Sequence, residues 1–342
     1  MTDPPEVLSS RYTRRELLRR GAEVGLAVGG LPALLAACTS SGTTSTSSPT
    51  AGASSGSVAA TDSPDLPRAL AGLPVARDLP GRVVYNTIEG DLWIVNGDSS
   101  GRRQLTDSGE GIDYSPTWAP AGSQIAFRTT RGDAADSIFI IDADGDNERQ
   151  LSPPGVDAIS PAWSPDGRLI AYSAAELTVV QPDGRGERPL GTDGECPSWS
   201  PDGTTIAYCS NAINRGESVD NWDVFVIGRD GGGRKRLTAS PSRDYPGPWS
   251  PDGALISFWS DRSGDGNVYV LGLDGAYEQL TDGSGSQALN AWLPDGRLVV
   301  SWSVADAKLP LWYLMDDRGR PLAILASLSG AMDPIAWWPG EP

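Results

Sequence analysis

Trp199-Ser200-Pro201-Asp202-Gly203, followed by Thr205 to Tyr208, reads as the end of one strand, a tight turn and the start of the next. Pro at the second turn position presets φ at about −65°, Asp suits the third, and Gly accepts the positive φ from which the next strand leaves. The unit recurs. Trp118, Trp163, Trp249, Trp292 and Trp337 occupy the same place, with turns at Ala119 to Gly122, Ser164 to Gly167, Ser250 to Gly253 and Leu293 to Gly296. Successive Trp residues are 45, 36, 50, 43 and 45 positions apart, on average about 44, which is the period of four-stranded propeller blades.

Each period repeats in detail. The turn leads into an apolar strand such as Leu169 to Tyr172 or Leu255 to Phe258, then a β-branched and aromatic one such as Val224 to Ile227 or Val268 to Leu271. Asp-Gly hairpins at 144–145, 183–184 and 274–275 follow, and then a short polar strand ending Leu151-Ser152, Leu237-Thr238 or Leu280-Thr281. Four short strands joined by tight turns make one antiparallel blade. Residues 82 to 106 carry only the second, third and fourth strand patterns, and residues 333 to 340 carry only a first. The expected fold is therefore all-β: a six-bladed β-propeller of four-stranded antiparallel blades over 78–342, its ring closed by the C-terminal strand. Closure removes the unpaired edge of an open array. The repeated Trp fills the wedge between blades, and Asp166, Asp202, Asp252 and Asp295 form turns.

Composition narrows function. The 342 residues include 27 Lys plus Arg against 44 Asp plus Glu, a net charge of −17, and no His. Without imidazole there is no Ser-His-Asp or Cys-His nucleophile and no His-ligated zinc. An acidic surface repels a phosphate backbone, so no nucleic-acid partner is expected.

The N-terminus reads as an address. Arg11, Arg14, Arg15, Arg19 and Arg20 precede an apolar run from Val24 to Ala37, shorter than the roughly 20 residues a membrane helix needs and suited to a signal peptide. Thr13-Arg14-Arg15-Glu16-Leu17-Leu18 resembles the twin-arginine export signal, with Leu17 where Phe is usual. Leu35-Ala36-Ala37-Cys38 resembles a bacterial lipobox, which implies lipidation of Cys38 after removal of 1–37. Two acyl chains suffice for stable anchoring. Residues 38–77, rich in Ser, Thr, Gly and Ala, read as a flexible tether, with a glycosylated stalk as the alternative.

The Trp-Ser-Pro-Asp-Gly repeats resemble the TolB-like β-propeller family, found in the TolB protein of the Tol-Pal envelope system and in prolyl oligopeptidases. The resemblance spans about residues 80 to 340 and is specific at the level of the repeat. It implies a propeller without the α/β domain of TolB and without the hydrolase domain and catalytic His of the oligopeptidases.

Propellers usually bind ligands at the channel mouth. Before the Trp, two blades carry Asp113-Tyr114 and Asp244-Tyr245, with Asp157, Asp193 and Asp333 at similar offsets. Such an acidic ring suits a cation or a basic segment, or caps turns. The loop from Ser210 to Trp222, with Arg215, Asp220 and Trp222, is the longest second-to-third connection, and long loops on rigid scaffolds are where recognition concentrates. Asp142 to Asn147 lacks the Gly and Glu of a calcium loop and reads as a turn. Cys196 and Cys209 flank one turn, so an exported chain is expected to bond them.

These features point to a non-enzymatic, monomeric extracytoplasmic lipoprotein, needing no cofactor. Its partner would be a protein, peptide or cell-envelope component. The alternatives are a metal-assisted hydrolase or lyase using channel-mouth carboxylates, or a carbohydrate-binding module using Tyr114, Tyr245 or Trp222.

Overall fold

The repeated turn closes on its own side chains. In the third such turn Ser200 Oγ donates to Asp202 Oδ1 (2.6 Å), which also accepts the Thr204 amide (3.0 Å), while Thr205 N donates back to Ser200 Oγ (3.0 Å). The same three bonds recur at Ser164, Asp166, Arg168 and Leu169, and at Ser250, Asp252, Ala254 and Leu255. Asp in this turn is thus a backbone acceptor, as its place after Pro implies.

A computed structural model describes residues 70–340, apart from 77–78, 110, 132–134, 212–220, 304–308, 317–318, 326–327, 329–330 and 333. In chain order, β1 (Val75–Ala76) precedes blade I, which contains β2 (Arg82–Asn86), β3 (Leu92–Asn96) and β4 (Arg103–Gln104). Blade II holds β5 (Asp113–Trp118), β6 (Gln124–Thr129), β7 (Ser137–Asp142) and β8 (Arg149–Gln150). Blade III holds β9 (Ile159–Trp163), β10 (Ile170–Ser173), β11 (Leu177–Val180) and β12 (Arg188–Pro189). Blade IV holds β13 (Glu195–Trp199), β14 (Thr205–Ser210), β15 (Asp223–Gly228) and β16 (Lys235–Arg236). Blade V holds β17 (Asp244–Trp249), β18 (Leu255–Ser260), β19 (Asn267–Gly272) and β20 (Tyr277–Gln279). Blade VI holds β21 (Ser286–Trp292), β22 (Leu298–Ser303), β23 (Leu311–Met315) and β24 (Pro321–Leu325), and β25 (Ala336–Trp338) returns to pair with β2. The propeller is six-bladed and the C-terminal strand closes it, as the repeat predicts.

Blade VI departs from the four-strand pattern. β1 adds to it as a fifth strand, parallel to β24, with Val75 opposite Ile324 and Ala76 opposite Leu325. These residues lie inside the stretch that composition assigns to the tether. Leu70 is fully buried, because a few apolar side chains find sockets that a local composition average does not register.

The apolar core is six layers, each between adjacent blades. The layer between blades III and IV, for example, holds Val179, Leu190, Trp199 and Phe225. The repeated Trp does more than fill this space. Trp118, Trp199, Trp249 and Trp292 each donate their indole N–H to the carbonyl just before the preceding blade's Trp: Ala336, Ala162, Ser198 and Pro248, at 3.0–3.3 Å. Trp163 and Trp337 are buried without such an acceptor. Around the outside, the first outer-strand residue of four blades caps carbonyls of the next blade's hairpin. Arg103 reaches Ala143 and Asp144, Arg149 reaches Pro182, Arg188 reaches Arg229 and Asp230, and Lys235 reaches Leu273.

Candidate functional site

One rim of the ring is formed where inner strands begin and where second strands cross to third strands. It is woven from backbone bonds between blades: Asp113 N to Gly90 O (2.7 Å), Ala158 N to Asp136 O (2.8 Å), Asp244 N to Trp222 O (2.8 Å) and Gln287 N to Gly266 O (2.8 Å). Glu89, Asp107, Asp157, Glu176, Asp265 and Asp282 are exposed in its loops. Ile88 and Ile112, 66% and 49% exposed, meet this rim from blades I and II.

The two Asp-Tyr pairs sit here, but their carboxylates are turned inward. Asp244 is fully buried, accepts from Ser260 Oγ (2.6 Å) and pairs with Arg262 (2.7 Å). The Arg262 guanidinium lies over Phe258, Tyr269 and Tyr277 at 4.9, 5.1 and 4.3 Å. Asp113 repeats the arrangement in blade II: it pairs with Arg131 (3.0 Å), which also grips Glu148 and lies over Phe127 and Phe139. In both blades the Arg follows the Asp by 18 positions, two residues beyond the end of the second strand. Asp223, buried against Arg236 (2.6 Å), is a third such pair that the sequence reading missed. Burial pushes all three carboxyls above their ordinary value, and the facing Arg opposes that rise. The signal was present as Thr129-Thr130-Arg131 and Ser260-Asp261-Arg262, at fixed distance from each Asp.

The aromatic halves of these pairs differ. Tyr114 lies under Arg128 (4.4 Å) with its hydroxyl 3.5 Å from Asp136. Tyr245 stands between Trp222 (6.0 Å) and Trp259 (5.7 Å), a half-buried row of three rings with Arg243 over Trp259 at 5.7 Å. Cys196 and Cys209 pack against Trp222 and Tyr245 as two buried free thiols. Cys209 stands opposite Glu195, not Cys196, which occupies the inner-strand bulge at φ +56°. Burial and the neighbouring Cys196 push the Cys209 thiol well up. Thus Tyr245, Trp222 and both cysteines come together at blades IV and V, whereas Asp113 and Asp244 lie on separate blades. Arg14, Arg15, Cys38, Arg215, Asp220 and Asp333 lie outside the described residues. Among the described residues no group of three or more Cys, Asp and Glu is placed to hold a metal ion.

Six blades of four antiparallel strands, three of them built on Trp-Ser-Pro-Asp-Gly turns and two on close variants, closed by a C-terminal strand, define a repeat-built six-bladed propeller with loops gathered on an acidic rim. Within that class the chain belongs to the TolB β-propeller domain family, whose model matches residues 82–219 and 136–334. The Tol-Pal system protein TolB of Bordetella pertussis is 32% identical over 165 residues, 45% of this chain and 35% of that protein. The Tol-Pal system protein TolB 1 of Novosphingobium aromaticivorans is 50% identical over 64 residues, 18% of this chain and 14% of that protein. The match therefore spans about a third or less of these relatives' length. The crystal structure of TolB from Acinetobacter baumannii superposes with a TM-score of 0.63 at 23% identity, covering 79% of this chain and 69% of that one, and shows the shared fold.

Proposed function

We propose that this protein is an exported lipoprotein, held to a membrane through Cys38, whose propeller is a docking scaffold for a protein or peptide of the cell envelope. The relatives' designation as Tol-Pal system proteins supports a place in an envelope assembly of that kind. The observation that carries the reading is the acidic rim itself, where exposed Ile88 and Ile112 and the Trp222–Tyr245–Trp259 row stand among acidic loops. Apolar and aromatic anchors ringed by charge are the usual anatomy of a protein-binding patch. A channel-carboxylate enzyme is less well supported, because the carboxylates it would use are held in internal ion pairs.

The test is photocrosslinking in intact cells from Ile88 or Ile112, with Leu273 on the opposite rim as the control. A single protein adduct from the first two positions and none from Leu273 is expected. Equal adducts from both rims, or none from any, would refute rim docking. Replacing Cys38 by Ser should release the protein from membranes; undiminished retention would end the anchor proposal. In an oxidising compartment Cys196 and Cys209 would join, their two electrons and two protons passing to a disulfide oxidant. Two titratable thiols in the unreduced mature protein would contradict that step.

A further inference from the structure

In blades II to VI a tight turn joins the first strand to the second, and such a turn fixes the register of the pair. Blade I has no such turn, because β25 and β2 lie at opposite ends of the propeller sequence. They share three pairs: Arg82 with Trp338, Val83 with Trp337 and Val84 with Ala336. Side chains alternate along a strand, so a slip of two residues would keep each of them on its own face. Burial of one face therefore does not select the register, and contacts outside the strand pair must do so.

The turns of neighbouring blades supply the precedent. The Pro ring of one covers the turn Gly of the next: Pro120 over Gly167, Pro165 over Gly203 and Pro201 over Gly253, at 3.8, 3.2 and 3.5 Å from where a Cβ would stand. Between blades I and II the cover is Trp338, the residue next to the repeated Trp337. Its indole lies so close on Gly122, at φ +65°, that a Cβ there would collide with the ring, and its N–H donates to Pro120 O (3.0 Å). Arg82, its register partner, lies over the Trp338 ring at 4.5 Å and the Trp118 ring at 4.9 Å, and donates to Gly122 O (2.7 Å). No carboxylate among the described residues pairs with Arg82, so two aromatic faces and a carbonyl hold its charge. Trp118 in turn donates to Ala336 O (3.2 Å), and the closing strand is bonded to blade II in both directions.

We infer that Trp338, Arg82 and Gly122 form a clasp that sets the register in which the ring closes. Only the pairing of Trp338 with Arg82 brings the indole over Gly122 and its N–H to Pro120 O. A slip of two residues, about 7 Å along the strand, carries the ring off the glycine and takes from Arg82 one of its two aromatic faces.

Cross-strand contacts in NMR spectra of the full chain test this. Trp338→Ala should split the Val83 and Val84 resonances into two sets, one with contacts to partners displaced by two residues, while Trp338→Phe, which keeps a ring over Gly122, should leave one set. A single set in Trp338→Ala, with Val83 still opposite Trp337, overturns the proposal. Should that variant not fold, two glycines decide. Gly167 has φ +68° and only ordinary contacts, so Gly167→Ala brings the same backbone strain as Gly122→Ala without the ring. Gly122→Ala should split the same resonances and lower the urea midpoint further than Gly167→Ala; one set of resonances, or equal midpoints, overturns the clasp.

Discussion

Trp199 and Trp163 stand at equivalent places in neighbouring blades, but only the first has an acceptor for its indole N–H. Replacing each by Phe removes similar area and the same donor, so Trp199→Phe should cost about 1 kcal/mol more than Trp163→Phe. Urea midpoints measure the difference, and equal midpoints would refute the latch. The charged residues separate by pH. Burial would raise the Asp202 carboxyl, but the Ser200 hydroxyl and Thr204 outweigh it and hold it below its ordinary value. Its contribution is therefore present above that ordinary value and lost as pH falls through the folded one. Asp244 is raised by burial, so its contribution is largest when protonated and falls as pH rises through its folded value. Asp202→Asn should flatten the acid limb of a stability–pH curve, whereas Asp244→Asn should not. At neutral pH Asp244→Asn should instead cost about 3 kcal/mol, by leaving the largely covered Arg262 guanidinium without its charged partner.

At the scale of strands, the Leu-Thr ending is a lock. Thr106, Thr238 and Thr281 Oγ1 and Ser152 Oγ accept the amides of Leu92, Val224, Val268 and Ile138 at 2.9–3.0 Å, where the outer strand has already peeled away. Thr238→Val should strand a buried N–H and cost about 2 kcal/mol, with Thr238→Ser restoring most of it; thermal melts of the pair check this. The hydroxyl was legible as a repeated residue, yet its bond was not, because local sequence says nothing of which amide lies across the sheet. The same limit hid the Arg103, Arg149, Arg188 and Lys235 caps, whose acceptors lie about 40 residues onward in the next blade. It also hid the role of Asp113 and Asp244: an Asp beside a Tyr suggests a ligand until Arg131 and Arg262 are seen folding back onto it.

For the molecule as a whole, period and turn chemistry were enough to give blade number and closure, since each repeat fixes its own hairpins. Removal of 333–342 takes away β25 and should replace a single cooperative melt by a broad one at lower temperature; an unchanged calorimetric transition would refute closure as the source of cooperativity. Charge is also uneven between the rims: Glu89, Asp107, Glu176, Asp265 and Asp282 leave an acidic excess where the inner strands begin, while at the hairpin rim the turn acids Asp166, Asp202, Asp252 and Asp295 stand among Arg103, Arg149, Arg188 and Lys235. Such a ring is an electric dipole directed along its own axis. Beside any negatively charged surface it experiences a torque that turns the hairpin rim inward and presents the acidic mouth outward, and added salt should relax that preferred orientation.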